Sequence, residues 1–220
     1  MDLMPAIRKV RWAAIAAVAL PLAIVLAAVA AHSANPNALR EIVDGQCVPD
    51  MQQHADPKPC AEVDLAGGVG RGFAILKDIK GVSQFLLIPT DVIDGIESPA
   101  LLAPDAVNYF DDAWTARTFV EKALGRTMPR DALSLAINSK YGRTQNQLHI
   151  HIDCIAADVR DSLRNQRDRI GDQWRLLDTL LAGHRYDARR VLGETLAGQD
   201  PFKLVAQDIP GADADMALYT

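Results

Sequence analysis

The chain has 220 residues, with 23 basic against 28 acidic side chains, a formal net charge of −5, 49% hydrophobic residues and 5% aromatics. So much apolar surface excludes a disordered chain, and three cysteines exclude a disulfide-framed mini-domain. The mild acidity argues against a nucleic-acid binder, which would carry a basic stripe.

Arg8, Lys9 and Arg11 precede an apolar run, Trp12–Ala31, that holds no charge and one proline, Pro21. About twenty helical residues span about 30 Å, the thickness of a bilayer hydrocarbon core. The run exceeds the ~7–15 residues of a signal-peptide core, which favours an uncleaved anchor. Its alanine content and the small residues over 28–34 leave a removed signal open, and a buried soluble helix is a third reading. Under either of the first two, the basic cluster stays on the cytoplasmic side and the remainder is exported. The expected organisation is a basic cytoplasmic N-terminus over 1–11, a single transmembrane segment over 12–31 in the inner membrane, a polar linker over 32–38 and one periplasmic domain over 39–220.

Cys47 and Cys60 flank a loop rich in proline and glutamine. In an oxidising compartment a disulfide closing that loop is expected, worth about 3 kcal/mol. A metal site enlisting His54 is the weaker alternative, because no fourth ligand stands nearby. Cys154 is left over and is expected as a buried free thiol.

Further along, 72–77 (GFAILK) and 84–89 (QFLLIP) read as two antiparallel strands joined by a turn. Pro104 and Asp105 open a helical pattern in which Val107, Phe110, Trp114 and Leu124 recur at helical spacing until Gly125 stops it. Trp114 and Phe119 read as core. Strands over 134–138 and 147–155 form a second hairpin, 158–169 a charged surface helix, 185–192 a further strand and 201–207 a short helix. The last residues, 216–220, resemble the start of a strand, as though the chain were cut short. Hairpins mixed with separate helices predict an α+β fold, an antiparallel sheet with helices packed on one side.

The informative stretch is 138–154, NSKYGRTQNQLHIHIDC. Strand alternation places Gln147, His149, His151 and Asp153 on one face and Leu148, Ile150 and Ile152 on the other. Three readings compete for the polar face. It is the solvent side of an outer strand, or His149, His151 and Asp153 ligate a metal, or a histidine attacks phosphorus. An imidazole near its ordinary pKa of about 6.5 is largely neutral at pH 7 and needs no metal-bound hydroxide to do so. The preceding Gly142-Arg143-Thr144 turn offers backbone N–H groups, a cation and a hydroxyl to the same anion.

These residues resemble the signature of the histidine-triad superfamily of nucleotidyl hydrolases and transferases: a Gly-Gln-(Ser/Thr) turn, two residues, then His-φ-His-φ-His, with φ apolar. Gly142-Arg143-Thr144 matches the turn. Gln147 stands where the first histidine would be, His149 in the nucleophile's place and His151 in the third. The 84–89 strand ending in Ile-Pro and Asn138 before the hairpin also fit. Gln147 departs from the common three-histidine branch. Together with 183–191 (GHRYDARRV), the Cys47 and Cys60 segment and the N-terminal apolar run, the stretch resembles the bacterial CDP-diacylglycerol pyrophosphatases, a divergent branch.

The resemblance implies hydrolysis of CDP-diacylglycerol to CMP and phosphatidate through a nucleotidyl-histidine on His149, with His151 as the second catalytic group. Asn138, Lys140, Arg143, Thr144 and Gln147 are implied around the substrate phosphates, Gln147 as a hydrogen-bonding or orienting group, and Arg189 and Arg190 are weaker candidates. Asp153 reads as structural and His184 as a surface residue. No metal or other cofactor, no nucleic acid and no obligate protein partner are implied; the partners are the nucleotide-lipid and the membrane. The alternatives are an exported hydrolase of soluble nucleotides and a non-catalytic protein that binds a nucleotide or phospholipid.

Overall fold

The computed structural model describes residues 35–219, so the expectations for 1–34, the transmembrane segment among them, lie outside the described residues. Among the described residues no helix is long and apolar enough to cross a membrane.

Helix α1 (Ala38–Ile42) runs through a π-helical turn (Val43–Cys47) into helix α2 (Val48–His54). Pro49 has no N–H to offer the preceding turn, and the wider turn accommodates it: the Val48 N–H reaches the carbonyl of Val43, five residues back. Cys47 and Cys60 form the expected disulfide, with Cα atoms 5.7 Å apart, and both sulfurs lie in the core.

Five strands make one antiparallel sheet: β1 (Glu62–Asp64), β2 (Phe73–Lys77), β3 (Phe85–Pro89), β4 (Leu133–Ala136) and β5 (Ile150–Cys154), in the order β1-β2-β3-β5-β4. Directly opposed residues share a face, so the register sorts the side chains. Ile75 opposite Leu87, and Leu87 opposite Ile150, belong to one face, with Phe85 and Ile152. That face meets helices α3 (Tyr109–Thr115) and α4 (Thr118–Leu124) in the main core, where Tyr109, Trp114 and Val120 are buried. The other face carries Ala74 opposite Ile88, then Leu86 opposite His151 and Ala136 opposite His151. Val43, Cys47 and Val48 cover its apolar half in a second core with Val63, Ala74, Leu86 and Ile88.

Helices therefore lie on both faces of the sheet, not on one. The alternation in β2 and β3 leaves apolar residues on each side, and the second side also needs cover. The helix expected to start at Pro104 begins at Tyr109, where the Asn108 side chain accepts from the Asp111 N–H as N-cap. It is also two helices. At the break, the Trp114 carbonyl accepts from the Arg117 guanidinium at 2.5 Å, and the same guanidinium lies 4.5 Å from the centre of the Trp114 ring. Beyond β5 come helix α5 (Ala157–Gln166), a two-residue pair β6 (Arg175–Leu176) with β7 (Asp187–Ala188), and helix α6 (Pro201–Asp208). The strand expected over 185–192 shrinks to β7. Residues 216–218 form a 3-10 turn, not a strand, because Met216 is buried and the Ala217 carbonyl takes the Lys140 N–H at 3.0 Å. Cys154 is free, as expected, but half-buried.

Candidate active site

Gln147 organises the approach to the histidines. Its amide nitrogen donates to the carbonyls of Pro89 (3.0 Å) and Asp91 (2.9 Å), and its amide oxygen accepts from Arg40 Nε at 3.2 Å. Arg40 also reaches Asp94 Oδ1 and the Asn146 carbonyl, both at 3.0 Å. Gln147 is completely buried, so its amide has no donor left for a phosphate. The expected phosphate contact becomes a clamp between the end of β3, the chain entering β5 and helix α1. Residues before α1 reinforce it. The Asn146 N–H donates to the Pro36 carbonyl at 2.6 Å, the Gln145 amide to the Asn35 carbonyl at 2.9 Å, and the Leu39 N–H to Gln145 Oε1 at 3.1 Å. The expected linker over 32–38 is thus docked, from Asn35 onward, on the segment that leads into the histidine strand.

His149 is nearly buried, and its Nδ1 lies 2.8 Å from the Gln147 carbonyl oxygen. A carbonyl only accepts, so Nδ1 carries the proton and Nε2 the lone pair. Nε2 makes no hydrogen bond among the described residues. It is not sealed either, since the buried polar side-chain atoms left without a partner there are Trp174 Nε1, Arg189 Nε and Asp200 Oδ2. Burial pushes the His149 pKa below the ordinary value, outweighing the favourable Gln147 carbonyl.

His151 stands edge-on to His149 with ring centres 5.0 Å apart. Gln84 Nε2 is 2.8 Å from its Nδ1, and Asn138 Nδ2 is 3.2 Å from its Nε2. A neutral ring cannot accept at both nitrogens. Gln84 is the fixed partner, because its Nε2 also donates to Asp78 Oδ2 at 2.6 Å. Nδ1 therefore accepts and Nε2 bears the proton; half a turn of the Asn138 amide presents its oxygen to that N–H. Burial, and then the neighbouring His149, hold the His151 pKa low, against the pull of Asp78. Both rings are thus neutral at pH 7, one offering a lone pair and the other an N–H.

Asp153 accepts from Ser83 Oγ at 2.7 Å and is structural, as expected. With that oxygen engaged, the set His149, His151 and Asp153 does not converge, and no three His, Cys, Asp or Glu residues could hold a metal ion among the described residues. Arg143 already has a protein partner. It grips Glu97 with both Nη atoms, at 2.6 and 2.7 Å, and holds that carboxyl below its usual range. Gly95 makes room for it, since a Cβ there would stand 2.1 Å from Arg143 Nη1. Arg143 therefore braces the turn, and its charge also reaches His149, where it helps hold that pKa low. Lys140 and Thr144 are exposed on the same turn, and Asn138 touches His151. Arg189, Arg190 and His184 lie elsewhere, His184 at a surface turn with Leu181.

Sequence reasoning missed Arg40, Asp78 and Gln84. Asp78 and Gln84 close the β2–β3 turn, and nothing in their spacing ties them to a histidine 67 residues after Gln84.

Residues 34–220 match the family model described as CDP-diacylglycerol pyrophosphatase. A protein of Yersinia pestis named CDP-diacylglycerol pyrophosphatase is 46% identical over 185 residues, covering 84% of this chain and 70% of that protein.

Proposed function

Since the chain belongs to the CDP-diacylglycerol pyrophosphatase family and is a hydrolase of phosphoric anhydride bonds, we propose that it cleaves CDP-diacylglycerol through a covalent intermediate on His149. The observation that carries this reading is the 2.8 Å contact from His149 Nδ1 to the Gln147 carbonyl, which leaves Nε2 as an unprotonated, unpartnered nucleophile.

In the first step the Nε2 lone pair forms a bond to the phosphorus next to cytidine. The bond from that phosphorus to the bridging oxygen breaks, and phosphatidate departs with the electron pair. In the second step water attacks the same phosphorus and gives up one proton to solvent, the N–P bond breaks with its electron pair returning to Nε2, and CMP leaves with the imidazole neutral again. Phosphatidate departs as a stabilised phosphate anion, so little general-acid help is required. Rate enhancement then rests on positioning and on donors aimed at the equatorial oxygens. The His151 N–H on Nε2 is one such donor, released when Asn138 turns to the substrate. Thr144 and Lys140 on the turn supply a hydroxyl and a cation, and Lys80, whose charge already acts on His151, supplies a second cation. The apolar run over 12–31 fits a lipid substrate as an inner-membrane anchor with the domain on the periplasmic side. The proposed reaction is the hydrolysis of a nucleotide-activated phospholipid by a chemistry of the histidine-triad type.

The test is brief exposure to substrate labelled in the cytidylyl phosphate, acid-free quenching and mapping of the modified peptide. Label on His149 is the expected result. Label on His151, or none with turnover intact, overturns the assignment.

A further inference from the structure

Arg160, Arg164, Arg167, Arg189 and Arg190 line one cleft of about 750 Å³, with Asp131 the single carboxylate among its lining residues. Its floor is apolar, made by Leu133, Ile155, Leu163 and Ile170. It sits at the Cys154 end of β5, about 20 Å along the strand from His149, and the reaction above does not use it. The neutralisation is incomplete. Arg164 pairs with Asp131 at 2.6 Å, Arg160 with the adjoining Asp161, Arg167 loosely with the exposed Asp168, and Arg189 with Asp208. Arg190 forms no ion pair among the described residues; its Nη2 donates to the carbonyl of Arg167, so two guanidinium-bearing residues are held together without a shared anion. Arg189 Nε is buried without any hydrogen-bond partner. Arginine forks at such a density match phosphate oxygens.

A second, largely apolar groove of about 450 Å³ adjoins this cleft and shares Asp131 and Leu133 with it. Phe110, Trp114, Leu135 and Leu196 line it, with Arg130 and Ser134 as its other polar residues. The arginine cleft on one side of Leu133 and a largely apolar trough on the other make one amphipathic surface. From this juxtaposition we propose that the cleft binds an anionic phospholipid, its phosphate among Arg167, Arg189 and Arg190 and an acyl chain along the groove, separate from the substrate phosphates at His149. The inference rests on the reading of this chain as a lipid-processing enzyme only for its role: it would hold the domain against an anionic lipid surface.

The experiment uses the full chain in nonionic detergent micelles, a photoreactive phosphatidate carrying its label on the acyl chain, and peptide mapping after irradiation. Labelling is expected at 110–114, 133–135 and 155–163. It should fall at least tenfold in the Arg167→Gln, Arg190→Gln double variant, and excess unlabelled phosphatidate should compete while millimolar inorganic phosphate should not. Unchanged labelling in the double variant overturns the proposal, and so does full competition by inorganic phosphate, which would make the cleft a site for free anions. Turnover of short-chain, detergent-dispersed CDP-diacylglycerol by the same variant reports folding and is expected unchanged. Absence of that turnover in the unaltered protein would strike the proposed function, while leaving the labelling result to be read on its own.

Discussion

Across β1, β2 and β3, the face of the sheet that meets α1 and α2 buries Val63, Ala74, Leu86 and Ile88 under a disulfide-bridged helix. Across β5 and β4 the same face, on the same pleat, carries His149, His151, Asp153 and the exposed Ala136. Leu86 stands directly opposite His151, so the boundary between the two halves falls between neighbouring strands. One half is held by apolar burial and a covalent cross-link, the other by hydrogen bonds that leave few alternatives for each polar group. Stability and chemistry are thus divided between the two halves, and substitutions in each should register in different measurements.

The sharpest separation comes from His149→Ala, which should lower kcat by at least about 10³-fold while thermal unfolding moves by only a few degrees. A comparable loss of folding would merge the halves. The converse is Cys47→Ser with Cys60→Ser. Opening a loop of 13-residue separation should cost about 3 kcal/mol in denaturant unfolding, with kcat unchanged where the protein remains folded. Gln147→Ala crosses the boundary: it strips donors from the Pro89 and Asp91 carbonyls and should cost about 1–3 kcal/mol, together with a measurable drop in kcat. Gln84→Leu should act more gently. It frees the His151 ring to change tautomer, expected as about a tenfold fall in kcat with KM nearly constant and little change in stability. The smallest effect concerns pH. Both imidazoles have lowered pKa values, so the neutral forms persist as the solution is acidified, and the acid limb of kcat/KM should lie below the ordinary value of about 6.5. An acid limb above 6.5 would contradict the burial of the rings.

Four strands of the large sheet were readable because alternation survives in short apolar segments, 72–77, 84–89, 134–138 and 147–155 corresponding to β2–β5 within a few residues, while the three-residue β1 was missed. His149 and His151 were readable for the same reason, since period two puts both on one side. The split of the 104–125 helix was not, because the break depends on Arg117 turning back onto Trp114 and no glycine or proline marks it. Gln147 reads from the sequence as a hydrogen-bonding or orienting group and Arg143 as a phosphate cation, and only tertiary contacts with Pro89, Asp91, Arg40 and Glu97 reveal which partners their groups engage. Asp78 and Gln84 act on His151 through a turn from another hairpin, a relation that local spacing does not encode. One-sided helix packing failed because both faces of β2 and β3 are apolar.

The docking of Asn35, Pro36 and Leu39 on Gln145 and Asn146 has a practical corollary for protein production. A shortened version designed to dispense with the apolar leader has its safe start point at or before Asn35. Beginning at Glu41 or later would remove Arg40 from Gln147 and unfasten the peptide that leads into His149, and such a preparation is expected to lose turnover through its boundary.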